Sequence, residues 1–217
     1  MDFSDLPGAV ADDRVPWGGP IRTLKSVNTR GEPVKPENLY PYLVPVLPFP
    51  ALASAAVPIG HEVWAILFED TEGEGGIVRA TVSEDQLQAA GLSPEQAHRI
   101  ALENLTRFAD ESPALTVQML GSPGGPVNML LYSDHARAAA CLRLPDLYED
   151  AREHLQADDL CACVPQRESL VIFPKRDRAY REMLVGKLRE IEADAQRPIS
   201  FALFELTPTG PRPFTDG

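Results

Sequence analysis

The stretch DLCACVPQRESLVIFPK, residues 159–175, decides the fold. It holds two apolar runs, Leu160–Val164 and Leu170–Phe173, separated by the polar turn Pro165-Gln166-Arg167-Glu168-Ser169. Neither run alternates as a half-wet strand does, and turn residues bound both. Such runs suit strands buried on both faces. The reading is a central hairpin with helices stacked against it, the nucleus of an α+β domain built mainly of antiparallel hairpins.

Working outward, Asp177 is placed to cap a helix reaching about Ala195, with Tyr180, Leu184, Leu188, Ile191 and Ala195 as its apolar face. Residues 199–206 read as a closing strand, and 208–217 as a flexible tail. Upstream of the hairpin, Pro145 restarts a helix running through Leu155, and His135–Leu142 reads as an alanine-rich helix capped by Asp134. Leu115–Leu120 and Val127–Tyr132 form a strand pair around a glycine-rich loop that lacks the Lys-Ser/Thr of a phosphate-cradling loop. Glu62–Asp70 and Ile77–Val82 form another.

Two capping boxes lie between these pairs. Ser83 with Gln86 opens a short helix ended by Gly91, and Ser93 with Pro94 and Gln96 opens one reaching about Ala109. Ala97, Ile100, Ala101, Leu105 and Phe108 form the buried stripe of the second helix. Asn104 falls inside that stripe, where its amide must find partners, and a loop backbone is the expected one.

Residues 1–60 hold close to half of the 21 prolines and read as an extended arm before a domain spanning 61–207. Tyr40, Tyr42, Leu47 and Phe49 in this arm are candidates for holding a partner, or for packing on their own domain. The sequence contains 217 residues with a net charge of -12, which argues against nucleic acid and anionic membranes. The acidic N-terminus has no signal-peptide pattern and no run is long enough to span a bilayer. Three cysteines fit a reducing compartment, so the expected location is the cytoplasm. Cys161 and Cys163 share a strand face without further ligands, and the four histidines are scattered, so neither a metal nor a cofactor is expected.

Candidate polar residues are few. Asp134 and His135 are adjacent, Asp134 reads better as a cap than as part of a triad, and Arg167-Glu168 tips the central hairpin. Arg167 either stands alone or reaches a strand-end carboxylate such as Asp134. Acidic pairs such as Glu69-Asp70 are expected to face water.

The phrases Val82-Ser-Glu-Asp-Gln-Leu, Gly91-Leu-Ser-Pro-Glu and Ala101-Leu-Glu-Asn104-Leu resemble a signature of the YtpQ-like family of bacterial proteins. Leu160–Val164 followed by Pro165-Gln-Arg167-Glu168 is similar to that family's Val-Pro-x-Arg-Asp hairpin, with Glu168 where aspartate is usual. The resemblance spans about residues 60–206, and the proline-rich arm departs from it. It implies a cytoplasmic α+β protein of unassigned activity; only Asn104 and Arg167 match positions of the pattern. Taken together, the expectation is a non-enzymatic protein-interaction module of adaptor, chaperone-like or immunity type. The alternatives are a hydrolase-like site around Asp134, His135, Arg167 and Glu168, and a structural subunit of an assembly.

Overall fold

A computed structural model describes residues 32–45, 55–73, 76–121 and 125–215. Among these residues the chain forms ten strands and four α-helices, in two antiparallel sheets. The central hairpin is as expected. β7 (Leu160–Gln166) and β8 (Leu170–Pro174) pair through Leu160↔Pro174 and Cys163↔Val171. Leu160–Val164 and Leu170–Phe173 are all fully buried.

They form the centre of a six-stranded sheet in the order β10-β9-β7-β8-β6-β5. Here β5 is Thr116–Gly121, β6 Val127–Ser133, β9 Pro198–Thr207 and β10 Gly210–Pro213. One face carries Leu130, Ala162, Ile172 and Phe204 against helix α3 (Leu147–Leu155). The other carries Met129, Cys161, Cys163 and Phe173 against α4 (Arg178–Ile191), capped by Asp177 Oδ1 on the Tyr180 N–H at 2.9 Å. Period-2 alternation thus sends each central strand into two separate cores, which is why its sequence shows no polar face.

A four-stranded sheet packs alongside. β3 (Val63–Gly73) pairs on one side with β1 (Leu39–Val44) and on the other with β2 (Val57–Gly60) and β4 (Gly76–Thr81). Its odd-numbered residues, Leu39 and Leu67 among them, face α1 (Glu84–Ala89) and α2 (Pro94–Glu111). Both predicted capping boxes are formed. Asn104 Nδ2 donates to the carbonyls of Pro36 and Leu39 at 2.8 and 3.0 Å, tying α2 to the start of β1.

Four expectations need correction. Residues 39–44 and 57–60 are strands of the small sheet, so the extended arm does not reach residue 60; Pro41 is tolerated because β1 is an edge strand. Leu47 and Phe49 lie outside the described residues. The expected tail instead contains β10, whose Pro211 and Pro213 likewise sit on an edge, after a turn closed by Gly210 at φ +105°. Asp134 does not cap a helix. It adopts φ +69°, and the alanine run folds into the tighter 3-10 turn Ala139–Arg143, whose first N–H, that of Ala139, donates to Arg167 O at 3.1 Å.

Candidate functional site

The even-numbered face of the small sheet is where polar chemistry collects. Strand alternation places Tyr40 and Tyr42 on this face of β1, and Phe68 and Asp70 on the same face of β3. The β3–β4 register sets Arg79 directly opposite Asp70. Two segments of the larger half close over this face: the bend after β6, carrying His135 and Arg137, and the β7–β8 turn, carrying Arg167. The bond from Ala139 N–H to Arg167 O fastens them together.

Asp70 is the hub. Its Oδ2 accepts from the Tyr42 hydroxyl at 2.8 Å and from Arg137 Nη2 at 2.6 Å, and lies 3.6 Å from Arg79 Nε. Arg79 Nε also donates to the Tyr42 oxygen at 2.7 Å. The expectation that Asp70 faces water is wrong: it is buried, although a strand-end carboxylate normally escapes to solvent. Two guanidiniums and a hydroxyl converge on Oδ2 and offset its burial, while Oδ1 has no partner among the described residues. Burial pushes the Tyr42 phenol up to about 12, with the Asp70 charge adding, so the hydroxyl stays protonated and donates.

Arg137 and Arg167 look alike in sequence but not in place. Arg137 lies 3.3 Å above the centre of the Tyr40 ring and 4.5 Å from that of Phe108. Burial alone would lower its pKa, but the Tyr42 oxygen and Asp70 outweigh that and raise it. Arg167 is just as buried, 5.6 Å from the Tyr42 ring centre and 5.9 Å from Phe68, and its Nη1 has no acceptor among the described residues. Its pKa is lowered, by burial first and then by Arg197, with Glu168 offsetting only part. Arg137 is ion-paired to a carboxylate, although its Nε also lacks an acceptor; Arg167 is a buried cation with no ion pair among the described residues.

The remaining sequence candidates disperse. Asp134 is exposed and accepts from Ser133 Oγ at 3.2 Å, and no contact joins it to Arg167. Glu168 Oε1 faces Arg197 Nη1 at 3.7 Å, too long for a hydrogen bond. His135 Nδ1 accepts the Arg137 N–H at 3.1 Å while its ring packs 4.5 Å from Phe108. Burial holds its pKa down to about 4, with Arg137 and Arg79 adding, so the ring is neutral at pH 7. Asn104 acts as the backbone anchor described above. Tyr42 is fully buried and Tyr40 lies under Arg137, so neither is free to grip a partner.

What the cluster can do chemically is narrow. Guanidinium groups remain protonated and serve as donors, not as bases. Cys141, Cys161 and Cys163 are buried, with burial raising their thiols to about 12, 11 and 12. Among the described residues no nucleophile lies within hydrogen-bond distance of a histidine base, and no group of three His, Cys, Asp or Glu could hold a metal ion. No helix of the described residues is long and apolar enough to cross a membrane.

Asp70, Arg79 and Arg137 were missed from sequence. Asp70 ends an apolar alternation shared with Phe68, and that period was a usable signal. Arg137, inside an alanine run, gave none. No family model, no curated protein and no solved structure matches this chain.

Proposed function

We propose that the protein is a cytoplasmic, non-enzymatic binding module whose ligand presents an anionic group, a carboxylate or phosphate, to the arginine cluster. One observation carries the reading: two arginines, Arg79 and Arg137, meet on the single carboxylate of Asp70, and a third, Arg167, packed on the same Tyr42 ring, has a buried N–H with no acceptor among the described residues. Leaving such a donor unsatisfied costs about 1–3 kcal/mol, and more for a charged group. An anion beside Arg167 and Arg79 removes that cost and balances the local charge. Guanidinium forks bind planar carboxylates and phosphates through paired donors, and the aromatic walls Tyr42 and Phe68 strengthen those bonds by excluding water. Binding without turnover is favoured because His135 is neutral and occupied, and the thiols are inert.

Thermal unfolding in the presence of phosphate, and separately of a dicarboxylate such as succinate, at constant ionic strength tests this. A saturable rise in Tm that vanishes in Arg167→Met supports the reading. Equal responses from both proteins, or none up to tens of millimolar anion, would count against it.

A further inference from the structure

The two edges of the six-stranded sheet are built differently. β10 carries Pro211, Arg212 and Pro213, and the Pro213 ring sits against Gly60 of β2. Proline, charge and a covering element are the usual protections of a strand edge. β5, Thr116-Val117-Gln118-Met119-Leu120-Gly121, has none of these three, only a register shift at its end between Leu120 and Gly121. Among the described residues it pairs only with β6; it contains no charged residue and leaves Val117 and Met119 46% and 55% exposed. These two side chains lie on one face, because Val117 is opposite Tyr132 and Met119 opposite Leu130.

That face is bordered by acids. Tyr132, the partner of Val117, feels the charge of Asp150 on α3. Asp150 in turn feels Asp146, Asp110 and Glu153, with His154 offsetting part. Asp146, Asp150 and Glu153 follow one another at helical spacing on α3, which packs on Tyr132 of β6, the strand beside β5. All four carboxylates are exposed. Mutual repulsion among them adds to burial in raising the Asp150 carboxyl, and a nearby cation would relieve it.

We propose that β5 accepts an extended segment of a partner protein as an added strand, with apolar side chains on Val117 and Met119 and lysine or arginine at the Asp150 end. Strand addition supplies main-chain hydrogen bonds, and the alternate side chains supply selectivity. The acidic border and the overall charge of -12 disfavour a second copy of this chain in the same role. Strand addition here uses none of the residues of the arginine cluster and does not rest on its ligand.

The test uses fluorescence anisotropy with two labelled eight-residue peptides, one alternating valine and lysine, the other valine and glutamate. The expected result is saturable binding of the lysine peptide, at least tenfold weaker in the double variant Val117→Lys, Met119→Lys. Both positions are exposed, so circular dichroism of that variant should match the parent. Asp150→Asn with Glu153→Gln should weaken binding and reduce its salt dependence. Equal binding of both peptides, or binding of neither, overturns the proposal. So does a lysine-peptide affinity unchanged in the β5 variant. Sedimentation showing a dimer at micromolar concentration that the β5 variant abolishes would assign the edge to a second copy instead.

Discussion

Replacing Arg167 by methionine separates a binding residue from a structural one. In most proteins, removing a buried arginine is destabilising because it strands a carboxylate or loses bonds. Arg167 has an unpartnered Nη1 and no acidic side chain within ion-pair distance among the described residues. Methionine has a similar reach and no polar atom needing water, so the substitution recovers about 1–3 kcal/mol of unsatisfied desolvation. Against this stands the attraction of the guanidinium for the Tyr42 and Phe68 rings, at centre distances of 5.6 and 5.9 Å. Those contacts are long, and each contributes about 0.5–1 kcal/mol. A methionine keeps part of that packing. The backbone bonds of residue 167, to Arg197 O and from Ala139 N–H, are untouched. The net expectation is that Arg167→Met is neutral to about 2 kcal/mol more stable, which for this chain length raises Tm by up to about 8 °C. Urea unfolding followed by tryptophan fluorescence measures it directly. A loss of about 2 kcal/mol or more, without an added anion, would mean that Arg167 already has a partner and that the binding argument is wrong.

Arg137→Met should behave oppositely: it strands the buried Asp70 carboxylate, and the same urea experiment should give a loss of about 3–5 kcal/mol. His135, held at about 4 against an ordinary 6.5, binds its proton less well folded than unfolded. Its contribution is therefore complete above about pH 6.5 and lost as pH falls toward 4, by about 1–2 kcal/mol once solvent at this half-buried ring is allowed for. His135→Asn, whose Oδ1 can still accept the Arg137 N–H, should flatten that limb in a pH series of urea melts; an unchanged limb would contradict the assignment. Glu192, raised by burial, acts in the opposite sense, so variant and parent must be compared at each pH. Gly60 holds φ +118°, and a Cβ there would run into the Pro213 ring between the two sheets. Gly60→Ala should cost at least about 1 kcal/mol and lower Tm by several degrees, whereas Gly76→Ala, at φ +115° with open space around it, should carry only the backbone part.

How far the sequence could be read follows from which interactions are local. Capping boxes at Ser83 and Ser93 and the cap at Asp177 depend on residues three apart, and all three are formed. The doubly apolar hairpin revealed its burial because both faces of each strand leave the same mark in composition. The prolines misled where they were treated as breakers without regard to position: Pro41, Pro211 and Pro213 all sit on edge strands, where a missing N–H is harmless. The cluster was the least legible part. Asp70, Arg79, Arg137 and Tyr42 come from four separate segments; the β1–β3 and β3–β4 registers bring Tyr42, Asp70 and Arg79 onto one face, and the bend after β6 lays Arg137 over it. Arg167 was singled out for its place at a turn, but its significance lies in what it lacks. Asp70 already holds Arg137 at 2.6 Å and Arg79 at 3.6 Å, so a third guanidinium nearby adds charge that Glu168 offsets only in part. A chain selected only for stability would place an apolar residue there, since the turn geometry does not require arginine. A buried cation with no ion pair among the described residues, beside two that share Asp70, is the feature on which the proposed anion site rests.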